Sequence, residues 1–451
     1  MIRACEVNDK DLHGVDMGEW LLVLPAWVKV GVSFLGILLL NRFGFALGFS
    51  ILLSSIVLSL WSGAGMAGLY FQLDNFVLPG NYLLPVVIVL LLLLVEVLGK
   101  TGRMERTMSA LQAMFKNRKT LLAGLPALIG MLPMPGGALF SAPLVAAVDD
   151  NSELAAPEKA AINYWFRHIW EYWWPMYPGT ILAVKFSGLS FTKYMLLQFP
   201  FTIVTLVGGY FFLLRKLPAK ESVVKSSLHS KKGDIFSALG PISLLVLTTI
   251  LGSSVLSANG VSKTVASLLA MLAGIILAIT ASLRGNSLAF RQSIGIFKRR
   301  NLWLMVLLII SVQVFSIVLR CPLDQAGSSI VAGMRDEFVR AGIPVFLIII
   351  MVPFISGLVT GVAFGFVGAS FPIVFAIIGA APAPGVVASA IVLAYSSGYI
   401  GMMLSPLHVC FAVTCEYFGT RMSGVYRYLA GPSLLIFLTG LILAGLYLTF
   451  L

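Results

Sequence analysis

The chain has 451 residues, 59% of them hydrophobic and 11% charged, with a formal net charge of +12. A soluble domain carries about 25% charged residues, and a mean hydropathy of +0.96 leaves too little polar surface to cover a water-exposed fold. Composition therefore excludes a soluble protein. The basic residues cluster in short loops between apolar runs, so they read as topology signals and not as a nucleic-acid footprint.

Residues 1–20 are polar and mildly acidic, without the charged n-region and apolar h-region of a cleaved signal. A crossing needs about 20 apolar residues. Ten such runs follow, at 22–40, 43–61, 81–98, 160–185, 192–214, 235–256, 264–283, 301–319, 387–412 and 428–450. Two more, 120–148 and 343–380, are interrupted by Pro and Gly and read as re-entrant hairpins. Ahead of each lies an amphipathic segment read as a surface-lying helix. In 103–119 the apolar face is Met104, Met108, Leu111 and Phe115; in 328–341 it is Ile330, Met334 and Phe338.

Loop charges orient this scheme. Six Lys/Arg fall in 100–119, six in 215–234 and five in 284–300, against none in 62–80 and Lys263 alone in 257–263. If both hairpins return to their own side, the three rich loops share one face. The positive-inside bias makes that face the cytoplasm, with both termini outside, in the plasma (cytoplasmic or inner) membrane.

The chain also repeats itself. LPALIGMLPMPGGALFSAP (125–143) is similar to VPFISGLVTGVAFGFVGASFP (352–372), with Pro126 on Pro353 and Gly130 on Gly357 at an offset of 227. RHIWEYWWPMYPGT (167–180) aligns with YSSGYIGMMLSPLH (395–408), placing Pro178 on Pro406 at an offset of 228. The expected fold is an all-α polytopic membrane protein built as an inverted repeat, each half holding five crossings and one re-entrant helical hairpin. An odd number of crossings per copy forces the inversion. The halves are 21–215 and 235–451, joined by a basic cytoplasmic linker at 216–234. Inverted repeats with broken helices are a plan of many secondary transporters.

Irregular backbone at membrane depth must face protein or a water-filled cavity. The first hairpin tip carries Pro135, Gly136 and Gly137, with Ser141 beyond; the second carries Ser356, Thr360 and Gly361. Helix N-termini at such tips suit an anionic group. A kinked helix with close glycine packing is the alternative, and the recurrence of the cluster in both halves favours a binding site. The crossing after each hairpin is broken at its own proline, and the second offers Ser396, Ser397 and Ser405 as further ligands.

Ionisable groups within spans default to function. Arg167 and Glu171, four apart, either neutralise each other or bind, and the planar fork of Arg167 suits a carboxylate. His168, Glu171 and His408 are the candidates for a coupled ion, because histidine titrates near neutral pH; a hydrogen-bonded core histidine is the competing reading. Lys185 shares the span. Trp165, Trp170, Trp173 and Trp174 read as anchoring or packing. The four cysteines show no metal or disulfide spacing, no hydrolase, nucleotide or protease motif is present, and no metal or catalytic centre is expected.

The stretches LPMPGGALFSAP, RHIWEYWWPMYPG and AYSSGYIGMMLSPLH resemble the uncharacterised integral membrane family known as domain of unknown function 401, over nearly the whole chain. That family is similar to the ion-transporter superfamily of gluconate, citrate, C4-dicarboxylate and arsenite carriers. The resemblance implies a homodimer, an elevator-like movement, and small-anion substrates driven by Na+ or H+ with no other cofactor. The Ser-Asn-Thr tips of sodium-coupled dicarboxylate carriers are missing here. The expected function is secondary active transport of a small carboxylate-type anion. A channel or exporter for an inorganic ion or cationic metabolite, a membrane scaffold, and an intramembrane enzyme built on Arg167, His168 and Glu171 are the alternatives.

Overall fold

A computed structural model describes residues 24–62, 71, 74–101, 117–131, 137–149, 153–217, 233–284, 287–321, 329–379 and 381–451. Among these residues the chain is all-helical, without a strand. Helices α1 (Ala26–Arg42), α2 (Leu47–Trp61) and α3 (Pro79–Lys100) open it. The first interrupted stretch is a helix pair, α4 (Arg118–Gly130) and α5 (Ala138–Val148). The next crossing is broken into α6 (Ala156–Arg167) and α7 (Pro178–Ser187), followed by α8 (Phe191–Gly209), which ends in a π-helical turn at Tyr210–Leu214. Then come α9 (Gly233–Ala258), α10 (Lys263–Leu283), the short α11 (Ser287–Ser293), α12 (Arg300–Arg320) and α13 (Ile330–Arg340). The second interrupted stretch forms α14 (Val345–Thr360) and α15 (Ala363–Ile377). The second broken crossing is α16 (Pro384–Met403) and α17 (Val409–Tyr417), and α18 (Met422–Phe450) closes the chain.

Seven helices among the described residues are long and apolar enough to cross a bilayer: α3, α8 with its π turn, α9 from Gly240, α10, α12, α16 and α18. A helix occupies each of the other expected runs as well. However, α1 and α2 have only 17 and 15 residues, about 26 and 23 Å at 1.5 Å per residue. Most long helices turn an apolar face outward, as lipid requires. The exception is α16, with 89% of its apolar window buried.

The tip of the first interrupted stretch, 132–136, lies outside the described residues. The second turns where the sequence expects it: α14 ends at Gly361, whose φ of +64° is a left-handed C-cap that glycine adopts without strain. Gly130 and Gly357, the paired glycines of the repeat, each sit where a Cβ would strike backbone: the Arg167 carbonyl for Gly130, the Gly398 carbonyl for Gly357. Close approach thus fixes α4 on α6 and α14 on α16. The second arms cross over to the other half, α15 against α7 and α5 against α17. A buried ion network closes the base of the first pair: Arg118 bonds Asp149 and, at 2.7 Å, Glu153, while Lys159 reaches Asp149 at 2.9 Å.

The amphipathic segment 103–119 lies outside the described residues except for its last three positions. Its counterpart is helix α13, whose Ile330 and Met334 are buried against the protein while its other face is exposed. Glu337 ties this helix to α1, its carboxylate accepting from the N–H groups of Ala26 and Trp27, both at 2.9 Å. An acidic side chain thereby takes up two orphan donors at the start of α1.

Candidate functional site

The site lies where the two broken crossings touch. After Arg167 the chain runs through isolated turns to Tyr177, and Pro178 restarts a helix at its first turn, where a missing N–H costs nothing. The indoles pin this irregular stretch. Trp165 donates to the Thr205 carbonyl (2.9 Å), Trp170 to that of Ala127 (2.8 Å), Trp173 to Thr202 Oγ1 (2.8 Å) and Trp174 to the Met131 carbonyl (3.0 Å). Trp165, Trp173 and Trp174 are buried in the protein, and Trp170 is half-buried. Carbonyls freed by the break find partners too: Tyr395 and Thr180 hydroxyls donate to Glu171, and the Tyr399 hydroxyl to His168.

The second break, 404–408, is held by Ser405, whose hydroxyl donates to the Leu358 carbonyl at 2.6 Å and accepts from Leu407 N–H at 3.1 Å. This places His408 against His168, with the Nε2 atoms 3.1 Å apart. His168 Nδ1 lies 2.6 Å from the Tyr164 carbonyl, which can only accept. The neutral His168 ring thus carries its proton on Nδ1, which leaves its Nε2 as an acceptor facing His408. Glu171 Oε2 is left buried without a partner; Glu171 Oε1 stands 3.8 Å from His168 Nε2. Arg167 Nη1 donates to Cys410 Sγ at 2.8 Å.

These side chains line a cavity of about 230 Å³. Its remaining polar wall is the first turn of three helices: α7 at Tyr177, Pro178 and Gly179, α15 at Val362, Ala363 and Phe364, and α17 at His408, Val409 and Cys410. None of their N-caps, Tyr177, Val362 and His408, makes a side-chain capping bond. Orphan N–H groups and the positive ends of three helix dipoles thus meet beside Arg167. A fourth N-terminus, that of α5 at Gly137, abuts the Arg167 guanidinium. Facing this wall from α3 and α12 are only Leu92 and Met305.

Arg167, His168, Glu171 and His408 are therefore brought together, with Gly137 against Arg167. Gly361 also belongs here, since a Cβ on it would lie 2.8 Å from His408 N. Pro135 and Gly136 lie outside the described residues. Most of the candidate hydroxyls donate within their own helices. Ser141 bonds the Gly137 and Ala138 carbonyls of its own helix, Ser396 and Ser397 bond Leu393, and Thr360 bonds Ser356. Ser356 Oγ is buried without a partner, one turn before the tip.

Sequence reasoning missed Cys410, whose sole signal was its place two residues after His408, and Tyr177. His168, His408 and Cys410 also offer three metal-ligand atoms within 4.8 Å of one another. The guanidinium bonded to the thiol sets a fixed positive charge in that triangle. It works against a cation and in favour of an anion.

No curated protein matches the chain. Among solved structures it is similar to the Alcanivorax borkumensis YdaH transporter, at 13% identity over 85% of this chain and 89% of that one, with a TM-score of 0.49. A family model described as a protein of unknown function, DUF401, matches residues 33–448, and the chain belongs to that family.

Proposed function

We propose that the chain is a secondary active transporter of a small carboxylate-type anion, working in a cell membrane and carrying no catalytic centre. The observation behind this reading is the convergence of three uncapped helix N-termini on one cavity beside Arg167. Donors without acceptors at membrane depth call for an acceptor, and a carboxylate matches both the dipole ends and the guanidinium fork. The 230 Å³ volume admits a few heavy atoms and excludes a large metabolite. Residues of the first hairpin tip, Pro135, Gly136 and Gly137, complete the site in this reading.

The fold proposed with it is the inverted repeat of ten crossings and two hairpins. Its support is the reciprocal packing of α15 on α7 and α5 on α17, which a two-fold-related pair of repeats produces. An elevator-like movement follows from how the wall is divided. Every polar group comes from the hairpins and broken crossings, while α3 and α12 present only Leu92 and Met305. A body carrying all of the solute's hydrogen bonds can slide past an apolar surface without breaking them. Glu171, His168 and His408 form a contiguous chain suited to a coupled proton, with Na+ the other candidate. The homodimer remains the expectation set by the resemblance.

The test is solute counterflow in proteoliposomes, preceded by a thermal-shift panel of carboxylates, oxyanions and amines with and without Na+ at two pH values. A ligand at a hundred times its Kd stabilises by about 2.7 kcal/mol. The reading requires saturable counterflow of one anion class that Arg167→Ala abolishes. Conductance without saturation would make the protein a channel, and a response to amines alone would refute the anion assignment.

A further inference from the structure

A second, larger cavity lies at the other end of α7 and α15. It has a volume of about 780 Å³ and is walled by Lys185, Arg320 and Arg335, with Asp336 its one carboxylate among the described residues. A side chamber of about 260 Å³ shares Lys185, Phe186 and Arg320 with it and adds Gln313 and Ser316. Along α7 the distance from Pro178 to Lys185 is seven residues, about 10 Å; along α12, from Met305 to Arg320 is fifteen, about 22 Å. The two cavities are therefore separate.

The larger cavity has an excess of donors. Lys185 Nζ bonds three neutral oxygens, of Gly80, Asn81 and Gln313. Lys185 and Arg320, two like charges, line both chambers. Among the described residues no carboxylate is within ion-pair distance of Lys185, Arg320 or Arg335. Gln313 turns its oxygen to Lys185, and its Nε2 is left buried without an acceptor. Helix dipoles do not offset this charge. Helices α7, α12 and α15 end here, but α3, α10, α13 and α16 begin here, so the helix ends supply no net negative charge.

We propose that this double cavity is a second anion site, a vestibule that takes a small soluble oxyanion, carboxylate or phosphate in type, on the face opposite the basic loops. The anion pairs with Arg320, which lines both chambers, and with Arg335 in the larger one. This assignment stands on its own residues and holds whether or not the central cavity carries solute.

The test uses citrate and inorganic sulfate as probes on the full-length protein in phosphatidylcholine nanodiscs, read by thermal shift and by equilibrium dialysis of labelled sulfate. Arg320→Gln and Arg335→Gln are the variants, with Arg167→Ala as the separate control on the central site. Each vestibule variant loses one charged hydrogen bond, so sulfate affinity falls about tenfold or more, while Arg167→Ala retains binding to the vestibule. Binding unchanged in both vestibule variants overturns the proposal, as does its loss in Arg167→Ala. Competition by phosphatidylglycerol that removes sulfate binding makes the occupant a lipid headgroup and overturns the soluble-anion assignment. If counterflow fails while sulfate binding still depends on Arg320, the transport reading falls and the vestibule stands.

Discussion

Replacing Gly137 by Ala separates the position of Arg167 from the stability of the fold. The backbone there is right-handed, at φ −56° and ψ −14°, so alanine fits without strain, and reduced unfolded-chain freedom favours it by about 0.4–1 kcal/mol. The new Cβ falls on the end of the Arg167 side chain, 3.0 Å from Cζ and closer still to Nη2. A flexible side-chain end swings aside, so the cost lands on the bonds of Arg167. The aim of the guanidinium into the cavity is lost, and with it one charged hydrogen bond to a bound anion. A charged hydrogen bond contributes about 1.5–3 kcal/mol, which is roughly 10- to 150-fold in affinity. Gly130→Ala is the control: its Cβ meets the Arg167 backbone, 2.8 Å from the carbonyl carbon, and backbone cannot swing. Melting temperature and anion affinity are measured for both, in an Arg320→Gln background that silences the second cavity. Gly137→Ala melts like its parent and binds weakly, and Gly130→Ala melts early. Wild-type affinity in Gly137→Ala, or equal melting losses in both, refutes the reasoning.

Three further outcomes follow from the same geometry. Cys410 lines the cavity while Cys415 does not, so N-ethylmaleimide labels Cys410 first and a bound anion slows it; prior labelling of Cys415 counts against the cavity as the water-accessible site. Glu171→Gln fixes the uncharged form of a buried carboxyl, so solute exchange persists and accumulation driven by a proton gradient disappears; intact accumulation removes Glu171 from the coupling path. Asp149→Asn strips Arg118 of its buried partner at a cost of about 3–5 kcal/mol, a fall that thermal melting detects directly, and an unchanged melt would show the network to be dispensable.

Much of the architecture was legible because the bilayer imposes simple constraints. A crossing must be long and apolar, and irregular backbone must announce itself through Pro and Gly, so helices occur at every expected run and the breaks fall at Pro178 and Pro406. The contact of 328–341 with the start of α1 through Glu337 was not legible, because it is not encoded in the periodicity of α13. The hydroxyls were chosen for their chemistry, but a serine inside a helix has its own i−4 carbonyl within reach, and Ser141 and Ser397 use it. The central pair was the hardest to read. At the repeat offset of 228, His168 aligns with Ser396 and not with His408. The histidines meet only because the two breaks cross in space, and Cys410 enters the site the same way.

The two cavities share the α7 and α15 pair, and this bears on how the protein moves. In the proposed elevator-like movement the hairpins and broken crossings form one body. The other contains α3, α10 and α12, and few polar contacts cross between them. Phe191 N–H donates to Ser267 Oγ at 3.1 Å, and Lys185 bonds Gly80, Asn81 and Gln313. A slide of one body along the other must break the Lys185 bonds, so they act as a latch on the arrangement seen here. Removing them with Lys185→Met takes away about 1.5–3 kcal/mol for a charged donor, enough to shift a two-state population roughly tenfold or more. Spin labels at Leu189, just past the end of α7, and at Asn259, on the exposed turn before α10, report the separation of the bodies. The variant moves weight from the wild-type distance to a second one. Identical distance distributions in the variant and the wild type would mean that Lys185 only fills space, and that the division into a sliding body and a fixed wall is wrong.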